Sequence, residues 1–344
     1  MHQVKFSQIG WNILNAKLKT PTGAVWLIYD GGLPKHMLQY AYAQCAKLKS
    51  AHHLAIETVE LKKTISESQK IWRLWLANGV QRDACIIVMG GGALTDFIGF
   101  TAALYKRGIP CIYIPTTLVG MVDAAIGGKT AVNFCGIKNS IGVLAPPKVV
   151  VIDLFFLKSL PKNHYHQGWV ELCKTALIHS EQLWKTTLRI GQPTPNLIQR
   201  IIRCKLLLTS IDPNDTGPRQ HLNYGHTIGH ALEAWSHQHK KPIAHGAAVC
   251  WGILVENEIA VRLKLLSPKH QTQISNALMP YAPKLFRPLP KAESLLKFLR
   301  HDKKNAAQHI RMTLIKAPGK PLTGYPVSEK LITDVLKQVC HALR

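Results

Sequence analysis

Short apolar runs of strand length recur through the first half of the chain, separated by stretches with helical spacing. The runs are almost continuously apolar, which is typical of strands buried on both faces of a parallel sheet. They lie at residues 24–29, 85–89, 111–114 and 148–152. Because helical patterns connect them, they predict βαβ units. We therefore expect an α/β domain over residues 1–160.

The pattern changes after Pro161. Strand signals stop there, and apolar residues recur at helical spacing instead. These helical stretches lie at residues 168–190, 196–210, 225–237, 246–264 and 329–342. Proline and glycine clusters, such as Gly217 with Pro218, separate them. We therefore expect a second, mostly α-helical domain over residues 161–344.

The composition is that of a folded protein, with 47% hydrophobic and 18% charged residues among 344. No apolar run reaches the length of about 18 residues that spans a bilayer. Residues 1–20 lack the compact apolar block of a signal peptide. The 8 cysteines lie far apart without a Cys-x-x-Cys pair, which predicts buried thiols in a reducing compartment. We expect a cytoplasmic protein that does not bind membranes.

The net charge of +24 is unusual, because 43 lysines and arginines face only 19 acidic residues. Such a charge raises the hypothesis of a nucleic-acid-binding protein. The basic residues are spread along the chain, however, in short doublets such as Lys62 with Lys63. We therefore do not expect nucleic acid as a partner, and we expect a basic surface with an anion-binding site.

A glycine turn follows the second apolar run. Gly90, Gly91 and Gly92 precede a helical stretch that contains Asp96. A strand, a glycine turn and a helix start can hold a pyrophosphate on helix N-terminal N–H groups, as in Rossmann-like domains. Thr95 stands where the dinucleotide fingerprint has its third glycine. Dinucleotide binding and a structural tight turn both stay open.

The segment from Asp123 to Asn139 combines glycines, lysines and amides. We expect a flexible loop here that holds a phosphorylated or carboxylated small molecule by backbone N–H groups and ammonium charge. Gly128, Lys129 and Thr130 match the end of a nucleotide-triphosphate P-loop. That motif requires a glycine where this chain has Asp123, so the P-loop interpretation fails.

His226 and His230 lie one helical turn apart and face the same way. Such a pair is either structural or part of a metal or proton-transfer site. Glu171 and His245 offer the remaining ligand types, since one carboxylate and two imidazoles make a divalent site with an open position. Rival pairs lie in polar stretches and are expected to be solvated: His52 with His53, His164 with His166, and His237 with His239.

Several cations accompany these residues. Lys174 follows Glu171 by one helical turn, and Lys205 and Arg219 precede Asn223. Each alone also suits a surface salt bridge. A guanidinium favours bidentate binding of carboxylate or phosphate, whereas an ammonium acts as a compact charge.

The order and spacing of these blocks, from about Asp30 to about Lys304, resemble the 3-dehydroquinate synthases of the sugar-phosphate cyclase family. The resemblance implies a Rossmann-like NAD-binding domain followed by a helical metal and substrate domain. It implies a lyase of the shikimate pathway to chorismate and the aromatic amino acids. That enzyme converts the phosphorylated sugar acid DAHP to 3-dehydroquinate and phosphate by transient oxidation, phosphate elimination, re-reduction and aldol cyclisation. NAD and zinc, or cobalt in its place, are the implied cofactors, and the resemblance also implies a homodimer.

The resemblance also implies roles for individual residues. The implied metal ligands are Glu171, His226 and His245. The implied catalytic residues are His230, Lys174, Asp123, Lys129 and Asn139. The implied substrate-binding residues are Arg107, Lys129, Lys174, Lys205, Arg219, Asn223 and His230, with a further motif at Asp302, Lys303 and Lys304. The implied cofactor-binding residues are Asp30, Glu60, Lys63, Gly91, Gly92, Asp96, Thr116, Thr117, Asp123, Lys138, Asn139, Phe156 and Ser159.

The chain departs from the family pattern at a few positions. Gly32, and Ala124 with Ala125, replace polar residues, and Ala247 replaces a glutamate after His245. The last change raises the question of which groups hydrogen-bond to the metal ligands and orient them. Two alternatives remain: another cyclase, of the 2-deoxy-scyllo-inosose or valiolone type, and a metal-dependent polyol dehydrogenase.

Overall fold

The computed structural model describes residues 3–19, 23–57, 59–135, 137–282, 290–300 and 309–342. The chain divides into two compact units, Met1–Gly168 and Trp169–Arg344. The units separate inside a helix, Lys162–His179, whereas the sequence-based boundary lies just before that helix. The substrate motif at Asp302, Lys303 and Lys304 lies outside the described residues.

The first unit is built on a parallel sheet. Its strands, in chain order, are β1 (Gln3–Phe6), β2 (Val25–Asp30), β3 (His52–Ile56), β4 (Cys85–Gly90), β5 (Cys111–Pro115), β6 (Lys129–Phe134), β7 (Ile137–Leu144) and β8 (Val149–Ile152). Six of them form one sheet in the order β1-β8-β5-β4-β2-β3, with all pairings parallel. Strands β5 and β8 are buried along their whole length, as their unbroken apolar runs predict. The predicted α/β, Rossmann-like fold is confirmed.

Helices connect these strands. They are α1 (Ser7–Lys19), α2 (Lys35–Gln44), α3 (Val59–Lys62), α4 (Ile65–Ala77) and α5 (Gly92–Leu104). Helix α4 begins where it does because the Thr64 side chain accepts a hydrogen bond from the Glu67 N–H. Trp11 of α1 and Trp75 of α4 are fully buried and fill the core.

The segment from Asp123 to Asn139 is more regular than expected. Strands β6 and β7 pair antiparallel, with Thr130 opposite Val143 and Val132 opposite Ile141. Thr130 and Val132 are buried and alternate with less buried neighbours, which is the period of a strand. The prediction of a flexible loop is therefore wrong for this part, because cross-strand pairing orders the backbone.

The second unit is mostly helical, as predicted. Its helices are α6 (Lys162–His179), which begins in the first unit, α7 (Glu181–Ile190), α8 (Pro195–Ile211), α9 (His226–Gln238), α10 (His245–Arg262), α11 (Pro268–Leu278), α12 (Ala292–Arg300) and α13 (Glu329–Ala342). The single helical stretch expected at residues 168–190 is two helices. The helix is interrupted at Ser180, whose hydroxyl accepts a hydrogen bond from the Leu183 N–H and caps α7.

Two strands also occur in the second unit, so the expectation that strands stop after Pro161 is wrong. They are β9 (His309–Ile315) and β10 (Pro321–Ser328), and they pair antiparallel. Ile310, Met312 and Leu314 of β9 are buried on one face. The alternation begins at Ile310 and is a strand signal, and it lies between the predicted helical stretches, where no element was predicted.

Free thiols account for all of the cysteines whose side chains are described. Burial raises the pKa of Cys204 and of Cys85 to about 11, so both are unreactive thiols at neutral pH. Among the described residues, no helix has both the length and the apolar character that crossing a membrane requires.

Candidate active site

Three side chains from three helices meet inside the second unit. Glu171 lies on α6, and His226 and His245 are the first residues of α9 and α10. Glu171 Oε1 is 3.3 Å from His245 Nε2 and 3.6 Å from His226 Nε2. These distances place a carboxylate and two imidazole nitrogens around one point, and each atom lies within 4.8 Å of the others. The structure therefore brings together the three predicted ligands.

The Glu171 carboxylate lacks the hydrogen bonds that a buried anion normally has. Its side chain is 0% exposed, and neither oxygen has a hydrogen bond of good geometry from the described residues, although His245 Nε2 approaches Oε1. Lys174 Nζ lies 2.6 Å from Oε2 as a buried ion pair. Burial raises the pKa of Glu171, but Lys174 and the two histidines outweigh burial and hold the pKa well below its usual range. A charged carboxylate with unused lone pairs fits a divalent cation.

Each histidine ring is oriented by a hydrogen bond from its Nδ1, the nitrogen that faces away from Glu171. His226 Nδ1 lies 3.1 Å from the carbonyl oxygen of Tyr224, and His245 Nδ1 lies 3.0 Å from Glu233 Oε2. Because a carbonyl and a carboxylate only accept, Nδ1 must donate in each case. Nε2 of each ring then faces Glu171, as metal-binding histidines normally do. The donor set fits zinc or cobalt with an open position.

The two rings differ in their electrostatics. Burial and the Lys174 ammonium hold the pKa of His226 well below its usual range. Burial also lowers the pKa of His245, but the carboxylates of Glu233 and Glu171 outweigh burial and raise the pKa to about 10. A position that holds a proton between two carboxylates also suits a metal ion, which takes the place of that proton.

His230 lies beside the cluster on the exposed side of α9. Its ring centroid is 5.1 Å from that of His226 and 6.2 Å from that of His245. His230, Glu233 and His245 form a second group of possible ligands, although the Glu233 carboxylate already accepts from His245. The exposure of His230 suits exchange of a proton with a bound molecule better than burial against an ion.

Two predicted substrate cations of this unit are almost fully buried. Lys205 on α8 is 7% exposed and Arg219 is 3% exposed, which is rare for such residues. Arg219 Nη1 donates to the carbonyl oxygen of Pro213, and its backbone N–H donates to Asp212 Oδ2. Arg219 is the second residue of the turn Pro218–Asn223, which lies two residues before α9. The predicted substrate residues therefore lead into the helix that carries His226 and His230.

Asp212 holds this turn. Its carboxylate accepts backbone N–H groups from Thr216, Gly217 and Arg219 at 3.0, 2.7 and 3.2 Å. Burial raises the pKa of Asp212, but these N–H groups outweigh burial and lower the pKa below its usual value. The Arg219 backbone is thus fixed by a charged carboxylate.

The predicted cofactor residues gather at one edge of the parallel sheet. Asp30 ends β2, Gly91 and Gly92 follow β4, and Thr116 and Thr117 follow β5. Strands β2, β4 and β5 are neighbours, so their carboxyl ends lie side by side. The chain order reverses between β2 and β4, because β3 lies on one side of β2 and β4 on the other. Nucleotides bind at such switch points.

The glycine turn shapes this edge. Gly91 is the N-cap residue of α5, and an added Cβ at Gly92 would lie 2.6 Å from Ala124 Cβ. A Cβ at Gly91 would lie 3.1 Å from Thr117 Cγ2. The N-terminus of α5 carries no acidic residue in its first turn. A glycine cradle at a helix N-terminus fits a pyrophosphate.

Polar residues near this turn bond to one another. Lys63 is 3% exposed, and its Nζ donates to Asp96 Oδ2 at 2.7 Å and to Asn139 Oδ1 at 2.5 Å. Lys138 Nζ lies 3.5 Å from Glu60 Oε1. Five of the predicted cofactor residues are thus connected in two groups.

The remaining predicted residues of the first unit are more scattered. Asp123 lies in a π-helical turn at Gly120–Ala124, and Lys129 is exposed at the start of β6. Arg107 is exposed and has a φ of 68°. Phe156 is 1% exposed and packs against aromatic rings of the core, so its side chain offers almost no surface to a ligand. Ser159, at the end of the same turn, is partly exposed.

Two family models together match most of the chain. The model for the 3-dehydroquinate synthase N-terminal domain matches residues 53–167, and the model for its C-terminal domain matches residues 168–305. The chain belongs to the 3-dehydroquinate synthase family.

Named relatives and solved structures agree with this family. The 3-dehydroquinate synthase of Parabacteroides distasonis is 35% identical over 289 residues, covering 82% of each chain. That of Thermosynechococcus vestitus is 36% identical over 296 residues, covering 83% of this chain and 79% of the relative. A 2-deoxy-scyllo-inosose synthase, solved with carbaglucose-6-phosphate, NAD+ and Co2+, is 26% identical with a TM-score of 0.86 and covers 97% and 96% of the two chains. An iron-containing alcohol dehydrogenase shares the fold, at 14% identity, a TM-score of 0.66 and coverage of 99% and 97%.

The sequence reasoning missed two carboxylates of this family member. Glu233 lies one turn after His230 on the same helix, so the spacing of His226, His230 and Glu233 was a signal for it. Glu256 is a fully buried carboxyl group inside the apolar helix α10. Among the described residues, the groups that could hold a metal lie in the second unit and exclude the rival pairs at His52, His164 and His237.

Proposed function

We propose that the chain is a 3-dehydroquinate synthase, which converts DAHP to 3-dehydroquinate and phosphate with NAD and a divalent metal, zinc or cobalt. The observation that carries this proposal is the Glu171, His226 and His245 cluster in a chain that matches both family models. The relatives that are about one-third identical bear the name of this enzyme. Buried cations in the same unit support a substrate with a carboxylate and a phosphate.

When bound, NAD takes up and returns a hydride, and the metal polarises a substrate hydroxyl and stabilises negative charge on oxygen. Glu171 and the Nε2 atoms of His226 and His245 would hold the metal. Lys174 compensates the buried charge of Glu171, and its ammonium would also face the substrate. The exposed imidazole of His230 would accept and return the substrate proton, since an imidazole can act as both a general acid and a general base.

The proposed anion-binding residues include Arg219, whose backbone N–H is held by Asp212. Arg219 would hold a carboxylate or phosphate in bidentate fashion, and Lys205 and Asn223 would contact the same molecule. In the first unit, Arg107 and Lys129 are proposed substrate residues, and Asp123, Lys129 and Asn139 are proposed catalytic residues, with Asp123 and Asn139 also near the cofactor. The glycine turn and Asp30, Glu60, Lys63, Gly91, Gly92, Asp96, Thr116, Thr117, Lys138, Phe156 and Ser159 are the proposed cofactor residues, with Phe156 restricted to its backbone.

A balanced redox cycle tests the function. Purified protein is incubated with DAHP, and phosphate, 3-dehydroquinate and NADH are measured together. We expect phosphate and 3-dehydroquinate to accumulate in equal amounts, far above the amount of NAD, while free NADH stays constant. NADH that forms in step with substrate loss, without phosphate, would indicate a polyol dehydrogenase and contradict the proposal.

Another sugar-phosphate cyclase is the second candidate. The 2-deoxy-scyllo-inosose synthase structure has a TM-score of 0.86 to this chain. Its named ligand is a sugar phosphate analogue, so a comparison of glucose 6-phosphate with DAHP separates the two. Phosphate release from the hexose phosphate alone would assign the chain to that branch.

Three further expectations belong to the same proposal. They are a homodimer, a cytoplasmic location and the absence of nucleic-acid binding despite the charge of +24. Sedimentation of the purified protein tests the dimer. A salt-dependent shift with random DNA at physiological ionic strength would revive the nucleic-acid alternative.

A further inference from the structure

A carboxylate is buried in the middle of α10, far along the helix from His245. Glu256 is 0% exposed. Its Oε2 accepts the Gly225 N–H at 2.6 Å, and its Oε1 accepts the Ile228 N–H at 3.3 Å. Burying a carboxylate costs several kcal/mol unless hydrogen bonds compensate it. The residue therefore needs an explanation beyond packing.

Gly225 and Ile228 flank the first residues of α9. Gly225 is the N-cap residue and has no side chain that could cap the helix, and His226 follows directly. A helix start leaves N–H groups without partners, and an N-cap side chain normally accepts one of them. Here the acceptor comes from another helix, because Glu256 of α10 occupies that place. The backbone on both sides of His226 is tied to one carboxylate.

The backbones of α9 and α10 also touch at this point. A Cβ on Gly252 would overlap the carbonyl oxygen of Gly225, and a Cβ on Gly225 would lie 2.5 Å from Ile253 Cγ1. A Cβ on Gly229 would lie 3.1 Å from the Ala248 carbonyl oxygen. Close contact without side chains leaves no room for the start of α9 to shift along α10.

His226 depends on this local backbone twice. Its Cα belongs to the first turn of α9, and its Nδ1 donates to the carbonyl oxygen of Tyr224, which precedes Gly225. The neighbouring Asn257 of α10 accepts the Tyr224 hydroxyl at 2.6 Å. Two consecutive residues of α10 therefore hold the segment that directs His226 Nε2 towards Glu171.

We propose that Glu256 is a positioning residue for the metal site, which fixes the first turn of α9 and thereby the direction of His226 Nε2. It acts through His226 and does not contact the ion. The proposal rests on the proposed metal site, and it predicts that metal affinity falls when the carboxylate is lost while the fold persists.

The test compares Glu256→Gln with Glu258→Gln. Glu258 lies on the same helix but contacts Arg262 and Gln271 instead of α9, so it is a matched control. Co2+ affinity is measured by competition with a chromophoric chelator, and the visible spectrum of the Co2+ form is recorded, both without substrate. For Glu256→Gln we expect affinity to fall by roughly 10- to 100-fold, as for other residues behind metal ligands, and the spectrum to shift. The control keeps the wild-type affinity and spectrum.

Unchanged Co2+ affinity and spectrum in folded Glu256→Gln protein would overturn the proposal. If that variant does not fold, Glu256→Asp, which keeps a carboxyl group on a shorter side chain, is compared with Glu258→Asp. The proposal is supported if Glu256→Asp loses Co2+ affinity, even by less than about tenfold, while Glu258→Asp does not. Equal Co2+ affinities of the two Asp variants overturn it. Wild-type protein that binds no Co2+ would instead overturn the metal assignment itself, whereas binding without activity towards DAHP would leave the role of Glu256 intact and reject the proposed reaction.

Discussion

The metal cluster of the second unit and the cofactor edge of the first unit are built in opposite ways. Around Glu171, a buried carboxylate lies beside the Lys174 ammonium and two imidazoles, and its oxygens lack hydrogen bonds of good geometry. At the cofactor edge the polar groups are already paired, as Lys63 is with Asp96 and Asn139.

The difference indicates two modes of binding. A cluster with unused lone pairs gains much of its stability from the cation it binds, because ligand binding adds directly to folding stability. An edge made of glycines and satisfied polar groups binds through shape and backbone N–H groups. Substitutions in the metal cluster should therefore act by changing the balance of buried charge. Substitutions at the cofactor edge should act by steric overlap with the bound molecule or the backbone.

Removal of the Glu171 carboxylate should have the largest effect. Glu171→Gln takes one ligand from the metal and leaves the buried Lys174 without its counter-charge, which costs about 3–5 kcal/mol in comparable pairs. We expect Co2+ binding to be lost, the free energy of unfolding to fall, and NAD affinity to persist. Titrations with Co2+ and NAD and urea unfolding measure the three quantities.

A double variant sharpens this prediction. Glu171→Gln with Lys174→Met removes both charges, so stability should recover in part while Co2+ binding stays absent. A parallel loss of NAD and Co2+ affinity in the single variant would contradict the separation of the two binding modes.

A methyl group at the glycine turn should affect only the cofactor edge of the first unit. Gly92→Ala places Cβ 2.6 Å from Ala124 Cβ, so the start of α5 must shift. We expect NAD affinity to fall by about tenfold, or about 1.4 kcal/mol, with Co2+ affinity unchanged. Gly32→Ala is the control, because its Cβ would meet Asp30 Oδ1 at an ordinary 3.4 Å. Equal losses in both variants would show that the cradle is not specific.

Arg219 tests whether the substrate cations act apart from both cofactors. Arg219→Ala should lose a charge-assisted contact of about 1.5–3 kcal/mol, and thus at least about tenfold in substrate use. The affinities for NAD and Co2+ should change little. Arg262→Ala, which removes an exposed arginine paired with Glu258, serves as the control and should keep wild-type kinetics. A collapse of NAD binding in Arg219→Ala would show that Arg219 belongs to the cofactor side.

The smallest expected effect concerns pH. Burial raises the pKa of Glu256 to about 8, although the N–H groups at the start of α9 oppose burial. An unfolded glutamate has a pKa of about 4.3, so between about pH 5 and 8 the folded state binds more protons than the unfolded state. Stability from this group therefore falls as pH rises through that window. In urea unfolding at several pH values, Glu256→Gln should show a flatter dependence than wild type or Glu258→Gln, and parallel curves would disprove it.

Local patterns predicted much of this molecule. The strands that became β2, β4, β5 and β8 were found within a residue of their ends, because burial on both faces leaves an unbroken apolar run. The β6–β7 hairpin was missed because its glycines and lysines resemble a loop, and only pairing across the strands orders it.

The candidate site shows the same limit. Glu171, His226 and His245 were predicted together, but the groups behind the histidines were not. Glu233 reaches His245 and Glu256 reaches Gly225 only because α9 packs on α10, and sequence spacing cannot report such contacts. The concern that Ala247 leaves the ligands unsupported is therefore answered for His245 by Glu233.

The glycine contact between α9 and α10 also has a consequence for folding. Two of the three proposed ligands lie in one short stretch, His226–Arg262, whose helices touch backbone to backbone, whereas Glu171 comes from a distant helix. Local contacts form faster than distant ones, so we expect the α9–α10 pair to form early and Glu171 to arrive late. A metal that joins them would then bind after the transition state. Added Co2+ should accordingly slow unfolding far more than it speeds folding, so the ion would increase the kinetic stability of the folded second unit.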